Sequence, residues 1–142
     1  MAHAQQVVTV PHPIGEVFAF LADGTNNPKW RPEVTSIRLV SGSEVGVQYA
    51  QSMKGPGGRT IQGDYRLTRW EAPTRLDFMV TAGPARPVGS FELRELPDGS
   101  TEVTFTLDLK PRGMMVLMTP MINKQVDTEV GNLHNLPAAM GV

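Results

Sequence analysis

The sequence contains no cysteine, which excludes disulfide bridges, thiol catalysis and cysteine-ligated metal centres. Histidine is scarce as well. His3, His12 and His134 stand far apart, on what read as a tail, a loop and the polar face of a helix, and they assemble neither a histidine metal cluster nor a serine or cysteine triad. No metal and no cofactor is therefore expected. Neither charge is in excess, with 13 basic against 14 acidic residues; this argues against a nucleic-acid partner, as does the lack of basic residues interleaved with exposed aromatics. Long apolar runs are missing. The longest, Met114 to Ile122, is broken by Thr119 and Pro120 and falls far below the ~20 residues of a membrane span. The start carries neither a basic nor an apolar leader segment, so a cytoplasmic location is the expectation. Gly55-Pro56-Gly57-Gly58 lacks the Lys-Ser/Thr pair of a phosphate loop and reads as a hairpin turn.

What is present describes one domain over residues 1–142, long enough to bury roughly two-thirds of its unfolded surface. Gln6 to Val10 reads as a first strand, stopped by Pro11-His12-Pro13. Ile14, Val17, Phe18 and Leu21 then recur at helical spacing until Asp23-Gly24, with Pro13 suited to the first turn. A second short helix begins near Asn27, with Pro28 at its start and Trp30 on it. From Val34 the period changes to two. Six alternating segments follow: Val34 to Val40, Val47 to Met53, Arg59 to Trp70, Arg75 to Thr81, Val88 to Leu96 and Thr101 to Leu109. Short Gly-, Pro- and Asp-containing connections between them predict an antiparallel meander. One face is mostly apolar and carries Tyr49, Gln51, Tyr65, Phe78, Phe91 and Phe105; the other is mostly polar, so one side faces a core and one faces water. From Gly113 to about Leu136 helical period returns, kinked at Pro120 unless the regular helix begins only there, and ended by Pro137.

This order of elements resembles the START-like helix-grip (SRPBCC) superfamily, in particular its polyketide cyclase/dehydrase and lipid-transport-like family. The residues that carry the likeness are Val17-Phe18-Ala19-Phe20-Leu21-Ala22-Asp23, Asn27-Pro28-Lys29-Trp30-Arg31-Pro32-Glu33-Val34, Val45-Gly46, Tyr65-Arg66-Leu67, Glu71-Ala72-Pro73-Thr74-Arg75-Leu76, Gly99-Ser100-Thr101-Glu102-Val103 and the closing helix. The resemblance implies an α+β helix-grip fold: an antiparallel sheet of about seven strands curled around a long C-terminal helix, two short helices after the first strand, and a cavity between sheet and helix. It is specific for fold and nearly silent on chemistry, because cyclases, dehydratases and lipid or quinone carriers share the scaffold.

The candidate cavity residues are Trp30, Tyr49, Gln51, Tyr65, Phe78, Phe91, Met118, Met121, Ile122 and Gln125. Met114, Met115, Met118 and Met121 form a methionine-rich helix start, suited either to ordinary helix-on-sheet packing or to a lid that repacks around different apolar shapes. Tyr49 and Tyr65 offer hydroxyls to a bound carbonyl, or to the protein's own carbonyls and water. Gly63 and Gly89 leave the inner face bare, for a bend or for a ligand. Glu129 falls on the packed helix face, where a carboxylate is costly unless paired; it meets a partner from the sheet, serves a ligand, or reaches water if Pro120 shifts the register. Meander topology places Lys54, Arg59, Arg86, Lys110 and Arg112 at one end of the sheet and Glu44, Glu71 and Asp98 at the other. Arg59, Arg86 and Arg112 are accordingly rim candidates for an acidic head group, unless they are plain solvated loop charges. The partner so indicated is a hydrophobic small molecule, lipid-, quinone- or polyketide-like, that the protein binds or transports as a monomer or homodimer. The alternative is a cyclase or dehydratase of the polyketide type acting on a similar ligand.

Overall fold

The computed structural model describes residues 2–83, 86–109 and 119–141. Strand β1 (Ala2–Val10) leads into helix α1 (Ile14–Ala22), a 3-10 turn at Gly24–Asn26 and the four-residue helix α2 (Asn27–Trp30). Strands β2 (Val34–Ser41), β3 (Gln48–Lys54), β4 (Thr60–Gln62), β5 (Tyr65–Glu71), β6 (Arg75–Val80), β7 (Val88–Glu95) and β8 (Thr101–Leu109) follow. Helix α3 (Thr119–Gly131), a 3-10 turn at Asn132–Asn135 and helix α4 (Leu136–Ala139) close the described chain. The eight strands form one antiparallel sheet in the order β1-β8-β7-β6-β5-β3-β2, with β4 paired to β3.

Alternation decides which face is buried. Along β8 every second residue from Thr101 to Leu109 is buried, and Tyr65, Leu67, Leu76, Phe78, Phe91 and Leu93 join them on the concave side. Helix α3 packs against β1 and β8 and contributes Ile122, Val126 and Val130 to the same core, which continues through Leu133 and Leu136. Lys124, Asp127 and His134 face outward.

Three boundaries differ from the sequence reading by more than a single residue. β1 starts at Ala2 because β8 offers a full-length partner, pairing Ala2 with Leu109 through to Val10 with Thr101; small and polar residues over 2–5 give no readable pattern. The single strand expected over 59–70 is two strands, so the sheet has eight rather than about seven. The interruption is local: an Asp64 side-chain oxygen accepts from the Gln51 N–H at 3.0 Å, taking a place that a ladder carbonyl would fill, while β4 and β5 keep a common register against β3. Finally, Pro137 does not end the helical segment. The 3-10 turn before it gives α4 a fresh start, and Pro137 sits in that first turn, where its missing N–H leaves no bond unmade.

Candidate functional site

Between the concave face and α3 lies a cavity of about 320 Å³, at the lower end of the ~300–1,000 Å³ usual for ligand sites. Leu67, Leu76, Phe78, Phe91, Leu107, Leu109, Ile122 and Val126 give it apolar walls. Exposure of the lining residues shows which end opens. Arg59, Gln62 and Met121 are exposed and Ile61, Val80 and Pro87 half-buried, whereas Leu21, Asn27, Arg31, Gln51, Tyr65 and Glu129 are buried. The mouth therefore lies at the β3–β4 turn and the described start of α3, and the closed end lies under α2.

That closed end is polar and internally bonded. Gln51 Nε2 donates to the Gly63 carbonyl at 3.3 Å, Asn27 Nδ2 donates to Gln51 Oε1 at 3.0 Å, and the same Asn27 nitrogen donates to the Tyr65 hydroxyl oxygen at 2.9 Å. Tyr49 stacks on Tyr65 with ring centroids 5.2 Å apart, and its own hydroxyl donates to the Ala22 carbonyl at 3.4 Å. Burial pushes the Tyr65 hydroxyl well above the ordinary phenol range, against smaller downward pulls from the Arg31 charge and the Asn27 hydrogen bond. It is a neutral O–H at any physiological pH.

Beside it Arg31 Nη2 donates to Glu129 Oε2 at 2.8 Å. Both residues are more than nine-tenths buried, and the pair is imperfect: Arg31 Nε and Glu129 Oε1 are buried with no hydrogen-bond partner. Two further side chains tie the same chain segment to the C-terminal helical region. Asn132 Nδ2 donates to the Glu33 carboxylate at 3.0 Å and 3.2 Å, and Asn135 Nδ2 donates to the Trp30 carbonyl at 3.1 Å.

The candidate residues sort as follows. Gln51, Tyr65, Phe78, Phe91, Met121, Ile122, Gln125, Glu129 and Arg59 line the cavity. Trp30 and Tyr49 are not on its wall. Trp30 is fully buried and packs edge-on against Phe91 and Phe105, with centroids 6.0 Å and 5.8 Å away; Tyr49 lies behind Tyr65. Arg86 is exposed, contacts the Gly83 carbonyl at 3.5 Å and is not among the lining residues. Met118 and Arg112, like Met114 and Met115, lie outside the described residues. Glu129 has found a partner, but the partner is Arg31, which follows α2, and not a residue of the sheet. The bare patch at Gly89 is not ligand space: a side-chain carbon there would meet the Phe78 ring at 2.3 Å and Leu107 at 2.9 Å. Gly63 does border the cavity, with Met53 sulfur 2.6 Å from where such a carbon would stand.

Asn27 and Arg31 were missed from sequence. The available signal was their adjacency to Trp30 on a short Pro-initiated turn, which carries no periodicity. Among the described residues no three His, Cys, Asp or Glu side chains are placed to hold a metal ion, and no described helix is long and apolar enough to cross a membrane.

Known proteins place the fold in context. No curated protein matches this chain by sequence. Among solved structures, the chain is similar to TTHA0849 from Thermus thermophilus at 16% identity and a TM-score of 0.76, over 97% of this chain and 96% of that one. It is similar to the Zhui aromatase/cyclase from Streptomyces sp. R1128 at 14% identity and 0.77, over 96% and 92%. A START superfamily protein from Mycobacterium smegmatis matches at 16% identity and 0.73, over 99% and 94%. Identities this low establish the helix-grip fold alone. The family model described as "Polyketide cyclase / dehydrase and lipid transport" matches residues 1–136, and the chain belongs to that family.

Proposed function

We propose that this protein binds or carries one small hydrophobic molecule in the cavity between the sheet and α3. The observation that supports this best is the cavity itself: about 320 Å³, walled by apolar side chains, open at one end and polar only at the closed end and the mouth. Apolar walls supply affinity, and a few fixed polar groups select orientation and ligand. Family membership supports a ligand of the lipid, quinone or polyketide kind. Arg59 is the one arginine of the expected rim that borders the described mouth, so an acidic head group, if the ligand has one, rests there and points outward. Purifying the protein from its native host, extracting it with solvent and identifying the released compound by mass spectrometry tests the reading. A stoichiometric hydrophobic compound is expected; repeated recovery of none, together with no uptake of a panel of lipids, quinones and aromatic polyketides, refutes it.

A second reading, cyclase or dehydratase chemistry, is favoured by one observation. Tyr65, Arg31 and Glu129, which can give up protons or stabilise charge, all border the cavity. An enzyme would cyclise an added poly-β-keto thioester faster, or to a different product, than it cyclises unaided in buffer, whereas a carrier would do neither.

A further inference from the structure

The hydrogen bonds at the closed end have a direction that side-chain chemistry does not leave free. The Gly63 carbonyl is a backbone acceptor and cannot donate. Gln51 must therefore turn its amide nitrogen toward it, at 3.3 Å, and its carbonyl oxygen toward Asn27. Asn27 in turn must offer nitrogen to Gln51, and that nitrogen is also the atom 2.9 Å from the Tyr65 hydroxyl. An –NH₂ group has two hydrogens and accepts nothing, so both are spent and Tyr65 can only accept from it. Turning either amide over would set an oxygen against an oxygen. The Tyr65 hydroxyl hydrogen is thus directed away from the network, and no described residue accepts it. Tyr49, whose hydroxyl is committed to the Ala22 carbonyl, shows how the neighbouring ring avoids the same condition.

We propose that the cavity selects a neutral hydrophobic ligand whose inner end is a carbonyl oxygen, which accepts the hydrogen bond that Tyr65 offers. This rests on the hydrophobic-binding reading above and specifies its inner end. An acceptor is required at Tyr65 because the hydrogen left free there is a donor; the other unpartnered lining atoms, Arg31 Nε and Glu129 Oε1, belong to the neighbouring ion pair. A neutral acceptor is favoured over a carboxylate because the nearest cation, Arg31, is already held by Glu129 at 2.8 Å; a second buried anion would find no uncompensated positive charge to offset its desolvation. Tyr65 also keeps its hydrogen throughout the physiological range, since burial raises its ionisation above the ordinary value.

The test compares two probes of one shape by titration calorimetry, 2-acetylnaphthalene and 2-isopropenylnaphthalene, which differ by C=O against C=CH₂. The wild-type protein is expected to bind the ketone about 3- to 10-fold more tightly, the range of one net hydrogen bond. Tyr65→Phe should bring the ketone down to the alkene without weakening the alkene, and Tyr49→Phe should preserve the preference. The carbonyl stretch of the bound ketone should lie at lower wavenumber in wild type than in Tyr65→Phe. An alkene that binds as well as the ketone in wild type, or a preference that survives Tyr65→Phe, overturns the inference while leaving hydrophobic binding intact. Failure of both probes to bind folded wild-type protein counts against the hydrophobic-binding reading and against this inference with it.

Discussion

The Arg31–Glu129 pair makes a quantitative prediction because it is buried and incompletely satisfied. One contact of 2.8 Å joins the two groups, and one polar atom on each is left without a partner. Removing a single member strands the other charge in a site more than nine-tenths buried, a change that costs about 3–5 kcal/mol. Glu129→Leu and Arg31→Met should therefore each be strongly destabilising, Arg31→Met somewhat more so, since the guanidinium also lies 5.7 Å from the Trp30 ring centroid and loses a cation–π contact worth about 0.5–2 kcal/mol. The double variant behaves differently. It removes both charges and both orphaned atoms, and exchange of a buried ion pair for apolar side chains is often neutral or stabilising. We expect it within about 1 kcal/mol of wild type, the cation–π loss being offset by the relief of two desolvated charges.

Urea unfolding measures this directly. With a slope of about 1–3 kcal/mol per molar urea, each single variant should lower the midpoint by roughly 2 M and the melting temperature by about 10 °C for a domain of this size. The double variant should recover most of both. The coupling from the mutant cycle should reach at least about 5 kcal/mol on these figures, above the ~0.5–3 kcal/mol that contacting residues usually show. Single losses below about 1 kcal/mol, or losses that simply add, would mean that water reaches the pair and that the closed end of the cavity is not closed.

Other substitutions probe the remaining parts of the site. Gly24→Ala would set its side-chain carbon 2.2 Å from the Tyr65 hydroxyl, so it should displace Tyr65 and abolish the ketone preference more completely than it lowers stability; an unchanged preference would contradict the packing described. Because the folded state holds the Tyr65 ionisation above the 10.0 of the free side chain, the unfolded chain releases that proton first as pH rises, and stability must fall above about pH 10. Tyr65→Phe should flatten that fall in unfolding measured from pH 9 to 11.5, and equal slopes would show the burial argument to be wrong. Met121 is half-exposed at the mouth, so Met121→Leu should change stability by less than about 1 kcal/mol while altering which chain lengths bind. Arg59→Gln should weaken a fatty acid more than the matching alcohol, by a margin that shrinks with salt; Arg86→Gln, off the cavity wall, should not, and equal effects from the two would remove the rim argument.

How far the sequence speaks depends on whether a residue repeats a period. Tyr65, Phe78 and Phe91 were legible because alternation along a strand fixes which face each side chain takes. Glu129 was legible as an anomaly, a carboxylate on an apolar helix face, and its burial at 6% exposure makes that anomaly real. Its partner was not legible. Arg31 lies 98 residues away, directly after a four-residue helix too short to show a pattern, where a basic side chain reads as a solvated charge. The split at Gly63–Asp64 was hidden for a related reason: Asp64 disturbs the ladder through a side-chain bond to Gln51, and nothing in an alternating string marks one polar residue as a competitor for backbone N–H groups.

The same physical ordering explains why the two ends of the cavity have different work to do. Glu129, Asn132 and Asn135 follow one another at intervals of three along the C-terminal helical region and bond in turn to Arg31, Glu33 and the Trp30 carbonyl. A spacing of three keeps such side chains on one face, so a single edge of that region is stitched to the segment between α2 and β2. Trp30, at the end of α2, packs edge-on against the stacked pair Phe91 and Phe105, whose centroids lie 4.5 Å apart, and anchors the segment to the sheet. The closed end is thereby fixed from both sides, which is what a directional hydrogen-bond donor needs if it is to discriminate between ligands. The mouth carries no comparable stitching among the described residues, and its lining side chains are the exposed ones. Substitutions at Arg59 and Met121 should consequently act on the entry and outer end of a ligand, whereas those at Asn27, Gln51 and Tyr65 should act on which ligand is retained. Separating the two requires rates as well as affinities: mouth variants should change association, and closed-end variants dissociation.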